Sequence, residues 1–223
     1  PETFLRAAEA YAGYLAREGE EEDALQVIAQ AGELYSGRVQ LAALREKIEA
    51  GETIAPLVST PAQGASEVLL NLGSALNRGG GESFVRLYVQ LALALKPDSD
   101  SALVLLAGVA EQTDRAEEAI ELYKRVPKSS PIHRVAELQL GLNLADTDRH
   151  DEAISHLKAL LEDQPEDMRA YLAIGGVYSA DKQYREAADI YDRAVALLGD
   201  GEEKDWNLFY QRGIAYERLK EWP

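Results

Sequence analysis

Between residues 66 and 199 one pattern of small and large apolar residues returns every 34 positions, and this periodicity constrains the fold more than any other feature. In frames beginning at Ser66, Asp100, Arg134 and Met168, the eighth position is Gly73, Ala107, Gly141 and Gly175, and the seventh is Leu72, Leu106, Leu140 and Ile174. Pro97, Pro131 and Pro165 stand at position 32 of the first three frames, with Gly199 there in the fourth. Four frames held in register imply one supersecondary unit, repeated and stacked on itself.

Each unit reads as two helices. In the Met168 frame Tyr171, Ile174 and Tyr178, then Ala187, Tyr191 and Ala194, fall at spacings of three, four and seven, which places them on helical stripes. The short polar stretch from Ser179 to Tyr184 makes the two helices fold back as an antiparallel hairpin. Gly175 and Ala187 are expected to face each other, small residues letting the backbones approach. Position 20 repeats Ala119, Ala153 and Ala187, with Val85 in the first frame. The closing proline cannot continue a helix and ends the unit.

The period, with position 24 reading Val89, Tyr123, Leu157 and Tyr191, resembles the tetratricopeptide repeat. Position four, often Trp in that family, is Leu69, Leu103, Glu137 and Tyr171 here. The resemblance implies an all-α fold, a right-handed superhelix of antiparallel helix pairs whose first helices line a concave groove.

Outside the four units the pattern weakens. Residues 1–50 read as an N-terminal helical cap, comprising one degenerate helix pair around Tyr11, Ala12 and Ala24 and one extra helix through Val39 to Ile48. Pro56, Pro61 and Gly64 mark residues 51–65 as a linker. Residues 66–199 hold the regular units. Gly213 lies 38 residues beyond Gly175, so four residues are inserted near Gly199, and residues 200–223 supply the first helix of a further unit through Phe209, Gly213 and Tyr216. With no Met at its start and a pattern cut off at Pro223, the chain reads as a fragment.

The net charge of −16 is spread along the chain, with 5 basic and 11 acidic residues before position 66 and 18 and 28 after it. That field repels phosphate backbones and argues against nucleic acid as a partner. Without cysteine, disulfides, Cys-ligated zinc and thiol catalysis are excluded. No apolar run approaches the roughly 20 residues that span a bilayer, and the compartment, cytoplasmic or periplasmic, is left open.

No catalytic, cofactor or metal site emerges. Ser155-His-Leu-Lys158 has the Ser-x-x-Lys spelling of penicillin-binding enzymes but lacks their companion motifs. His133, His150 and His156 form no His-Glu-x-x-His pair, and His150 reads as a solvated turn residue. The acids around Asp146 and Asp148 lack the Gly and spaced Glu of a calcium loop. Gly79-Gly-Gly81 fills the turn slot taken elsewhere by Asp114, Asp148 and Lys182 and is no phosphate cradle.

Carrying the family's groove positions onto this chain gives a candidate surface. Position five is Leu70, Val104, Leu138 and Leu172; position nine is Ser74, Gly108, Leu142 and Gly176; Asn71, Gln139 and Arg169 add polarity. Such a row suits an extended or helical peptide with apolar side chains. The Lys and Asn set that clamps a C-terminal carboxylate in chaperone-binding relatives is replaced by leucines and glycines. The reading is a non-catalytic protein-binding scaffold or adaptor. Its alternatives are the regulatory or substrate-recruiting arm of a larger enzyme, and an array that self-assembles through its end helices.

Overall fold

The computed structural model describes residues 2–34, 39–77, 81–199, 201–202 and 205–221; among them are twelve α-helices and no strand. The Gly79 and Gly80 reading therefore falls outside the described residues. Two compact units are present, Pro1–Val109 with Arg125–His133, and Ala110–Lys124 with Arg134–Pro223. The first contains α1 (Glu2–Glu18), α2 (Glu21–Leu34), α3 (Val39–Glu49), α4 (Pro61–Leu76), α5 (Glu82–Leu95) and most of α6 (Asp100–Gln112). The second contains α7 (Ala116–Lys124), nearly all of α8 (His133–Asp146), α9 (His150–Asp163), α10 (Met168–Ala180), α11 (Tyr184–Leu198) and α12 (Trp206–Leu219).

One turn geometry ends the first helix of four hairpins and also ends α12. Gly19, Asp114, Asp148, Lys182 and Lys220 all have φ between 55° and 85°. In each case the next amide reaches back five residues, as in Glu20 N to Leu15 O at 2.9 Å and Gln183 N to Tyr178 O at 2.8 Å. This is the 6→1 bond of a Schellman cap, which satisfies a carbonyl the helix end would leave orphaned. A side chain in that conformation costs about 1 kcal/mol that glycine does not. Lys182→Gly is therefore expected to stabilise the second unit by about 1 kcal/mol, read as a higher urea midpoint; an unchanged or lower midpoint refutes it.

The small residue at position eight accommodates position 24, not position 20 as the sequence suggests. A Cβ added to Gly73 would lie 2.8 Å from Val89, and one on Gly141 would lie 2.5 Å from Leu157. On Gly175 it would overlap the Tyr191 ring. The missing side chain is thus the socket for the large residue of the returning helix. Ala119, Ala153 and Ala187 are fully buried beside it.

In the first unit α1–α3 enclose their own apolar cluster, centred on Ala12, Leu15, Ala24, Ile28, Leu41 and Ile48. Arg6 of α1 donates to both carboxylate oxygens of Glu67 on α4, at 3.2 and 2.6 Å. Helix α4 begins at Pro61, inside the stretch read from sequence as linker. Thr60 Oγ1 accepts from Gln63 N, the Gln63 side chain accepts from Ser59 N at 2.8 Å, and Pro61 fills a position needing no amide. The buried Ser66 hydroxyl donates to Ala92 O at 2.9 Å and ties α4 to α5.

Helix α7 stops at Lys124, well before Pro131. Pro127 is the reason, since a residue preceding proline is pushed out of the helical region. The following segment is held by Arg125 donating to Pro97 O at 3.0 Å and by Ser130 Oγ to Asp100.

In the second unit three polar clusters lock neighbouring helices. Buried Asn143 donates to Glu111 at 2.5 Å, and Tyr123 OH donates to the same oxygen at 3.1 Å. Burial, then the Glu111 charge, push the Tyr123 hydroxyl far above its ordinary pKa. Arg134 of α8 donates to Asp167 Oδ2 at 2.6 Å and to Leu160 O at 3.2 Å. Asp192 of α11 accepts from Arg212 at 2.5 Å and from Tyr216 OH at 2.6 Å, fastening α12.

Candidate functional site

The sequence-derived row divides between the two units. In the first, Leu70 is buried at 5% exposure, so it belongs to the interior and cannot line an open groove. It follows Glu67 by one turn, on the side where Arg6 of α1 meets α4. Asn71 donates to Glu67 O at 2.8 Å within its own helix. Ser74 and Val104 are half-buried. A Cβ on Gly108 would meet nothing within 4 Å.

The second unit keeps a more accessible row. Leu138, Gln139 and Leu142 on α8 are half-buried, as is Leu172 on α10. Gly176 is exposed, with no atom within 4 Å of an added Cβ. Leu138 and Leu142 stand four apart, as do Leu172 and Gly176, so each helix presents one stripe. Arg169 is exposed and bonded to Asp167 through Nε at 3.1 Å and Nη2 at 3.0 Å. The Arg134–Asp167 bond links the start of α8 to the N-cap of α10. The surface therefore offers aliphatic contact, a glycine-bared backbone and scattered amide and guanidinium groups, which suit polypeptide recognition.

The chemistry-bearing residues are engaged elsewhere. Lys158 donates to Tyr178 OH at 2.9 Å and lies over that ring. His156 Nε2 lies 3.2 Å from Glu137, whose hydrogen bond outweighs burial and raises the imidazole pKa. His150 is half-buried, with Nδ1 3.4 Å from Asp181. No helix among the described residues is long and apolar enough to cross a membrane.

Sequence reading missed an exposed apolar surface on α4 and α5, from Val68 to Leu95. The available signal was the phenylalanine and leucines at first-frame positions that are mostly polar in the other frames.

The tetratricopeptide repeat profile matches residues 85–131 and 138–202, together half of the 223 residues. The general transcriptional corepressor ssn6 of Schizosaccharomyces pombe is 25% identical over 120 residues, covering 54% of this chain and 11% of that protein. The chain spans 11–16% of the length of the curated relatives it matches. A tetratricopeptide repeat protein from Parabacteroides merdae superimposes with a TM-score of 0.61 at 16% identity, covering 98% of this chain and 75% of that one. MamA from Desulfovibrio magneticus gives 0.58 at 19% identity, covering 70% and 86%. Matching profile, period and hairpin geometry agree, and this all-α protein-interaction scaffold belongs to the tetratricopeptide repeat family.

Proposed function

We propose that the chain is a non-catalytic adaptor that binds a peptide segment of a partner protein along the α8 and α10 row of its second unit. The observation that carries this reading is the accessibility of that row. Leu138, Leu142 and Leu172 stay partly open, whereas Leu70 is buried. Gly176 leaves room for a ligand backbone or side chain to approach. Burying one such leucine under a ligand contributes about 1.5–3 kcal/mol before the ordering cost of the peptide. The spread negative charge disfavours nucleic acid and favours a neutral or basic peptide.

Peptides selected by display against the 223-residue chain test the reading. Leu138→Arg/Leu172→Arg places two cations on the row and leaves Gly141, Leu157, Gly175 and Tyr191 untouched. Affinity is expected to fall at least about tenfold, roughly 1.4 kcal/mol, with the circular dichroism spectrum and urea midpoint retained. Unchanged affinity in a folded variant removes the row as the binding site.

A further inference from the structure

We propose that the outer face of the α4–α5 hairpin is a self-association surface on which a second copy of this chain docks, forming a four-helix bundle from two hairpins. The repeat's own geometry shows what normally covers part of this face. Positions three, seven and eleven of a first helix point at the second helix of the preceding hairpin. On α12 these are buried Leu208, then Arg212 and Tyr216, both bonded to Asp192 of α11. On α10 they include buried Ala170 and Ile174.

On α4 the same positions are Val68, Leu72 and Leu76, and no such helix precedes them. The chain from Glu52 to Ser59 is non-helical. α1 approaches α4 from the Glu67 side instead. All three residues are exposed, between 40% and 60%.

Helix α5 then adds what the repeat's packing does not call for. At positions 19, 22 and 26, α9 and α11 carry Glu152, Ser155 and Ala159, then Glu186, Asp189 and Arg193, all solvent-facing. Here α5 has Phe84, Leu87 and Leu91, followed at position 30 by Leu95, exposed between 40% and 62%. Their spacings of three, four and four make a single stripe.

The stripe on α5 and the row on α4 each sit about 110° around their helix from the line of contact, which Ser66 and Gly73 mark on α4 and Val85, Tyr88, Val89 and Ala92 mark on α5. Because the helices are antiparallel, that common angle puts both rows on the same side. The result is a continuous apolar face two helices wide, where a single stacking helix of the repeat would cover only the α4 row.

From these exposures the seven side chains present about 600 Å², at the upper end of what a monomer usually leaves open. Two such faces together bury about 1,200 Å², which reaches the range of stable interfaces. A two-fold axis is the operation that presents the same patch to itself. Net charge opposes the contact, since each copy carries −16. Added salt should therefore strengthen it, whereas attraction between oppositely charged surfaces weakens with salt.

Sedimentation equilibrium on the 223-residue chain, from about 1 to 100 μM and from about 50 to 500 mM salt, is the test. A monomer–dimer equilibrium that tightens with salt is expected. It should weaken at least tenfold in Leu87→Glu/Leu91→Glu and separately in Val68→Glu/Leu72→Glu, each folded by circular dichroism because the sites are exposed.

The chain has no cysteine, so Leu91→Cys provides a probe that does not depend on the glutamate variants folding. A bismaleimide should link it into dimers and leave Leu197→Cys, exposed on α11, unlinked. A wild-type chain that stays monomeric throughout, even one whose hairpin captures a foreign helix, overturns the proposal. So does a dimer that neither pair of substitutions disturbs, which would place the contact elsewhere, for instance on Trp206 and Tyr210 of α12.

Discussion

Tyr191→Ala is expected to lower the stability of the second unit by about 3–5 kcal/mol, the range for emptying a large aromatic site. Tyr191 is 1% exposed and its ring occupies the space that Gly175 leaves on α10. The converse change should also be costly. Gly175→Val drives a branched side chain into the ring, and overpacking of this kind costs about 1–3 kcal/mol or more, beyond any gain in helix propensity. The sign is not trivial, because glycine within a helix is itself unfavourable by about 1 kcal/mol relative to alanine. The second frame pairs Ala107 with Tyr123 at these positions, so the repeat can be built around alanine and valine is the sharper test. Urea unfolding followed by circular dichroism measures both. A loss below about 1 kcal/mol for Tyr191→Ala would mean that the ring does not fill this socket.

The second large effect is expected at Asp167. Its side chain is 5% exposed, pairs with Arg134 at 2.6 Å and caps α10 through Arg169 N at 3.0 Å. Removing one member of a buried pair strands the other, here relieved in part by Leu160 O, and a lost N-cap adds about 1 kcal/mol. Asp167→Ala should cost about 3 kcal/mol in all, and Asp167→Asn, which keeps the cap, about 2 kcal/mol.

Burial raises the Asp167 carboxyl, but hydrogen bonds from Arg169 and Arg134 outweigh it and hold the pKa below the usual carboxylate range. A depressed folded-state pKa means that the contribution is complete above the unfolded-state value and disappears as pH falls through the folded one. The gap between wild type and Asp167→Asn should therefore narrow as pH drops below the usual carboxylate range. A gap independent of pH would assign the loss to shape, not charge.

Much of the architecture is legible from residue types because helix stripes and terminators are local signals. Tyr171, Ile174 and Tyr178 fall on the buried side of α10 by spacing alone, whereas Thr60 and Pro61, read from sequence as part of the linker, cap and open α4. Less of the candidate surface can be read this way. Leu70 and Leu138 occupy the same position of the repeat, yet one is buried and the other is partly open. Leu70 lies on α4, the helix that Arg6 of α1, more than 50 residues away in the chain, reaches through Glu67. No window around Leu70 contains that information. The end of α7 follows from Pro127, a local signal outside the 34-residue pattern, whereas the periodic Pro131 lies seven residues beyond the helix.

By itself the sequence determined the repeat, its hairpins, the all-α class and the absence of thiol chemistry, because periodicity and composition act through short-range sterics and the number of apolar residues. Tertiary structure decided which side chain enters each glycine socket. Spacing puts positions 20 and 24 on one stripe, and only the packing of the two helices selects between them. It also decided which apolar residues remain open, since exposure depends on what lies across the gap: α11 for the row on α12, and no preceding hairpin helix among the described residues for Val68, Leu72 and Leu76 on α4.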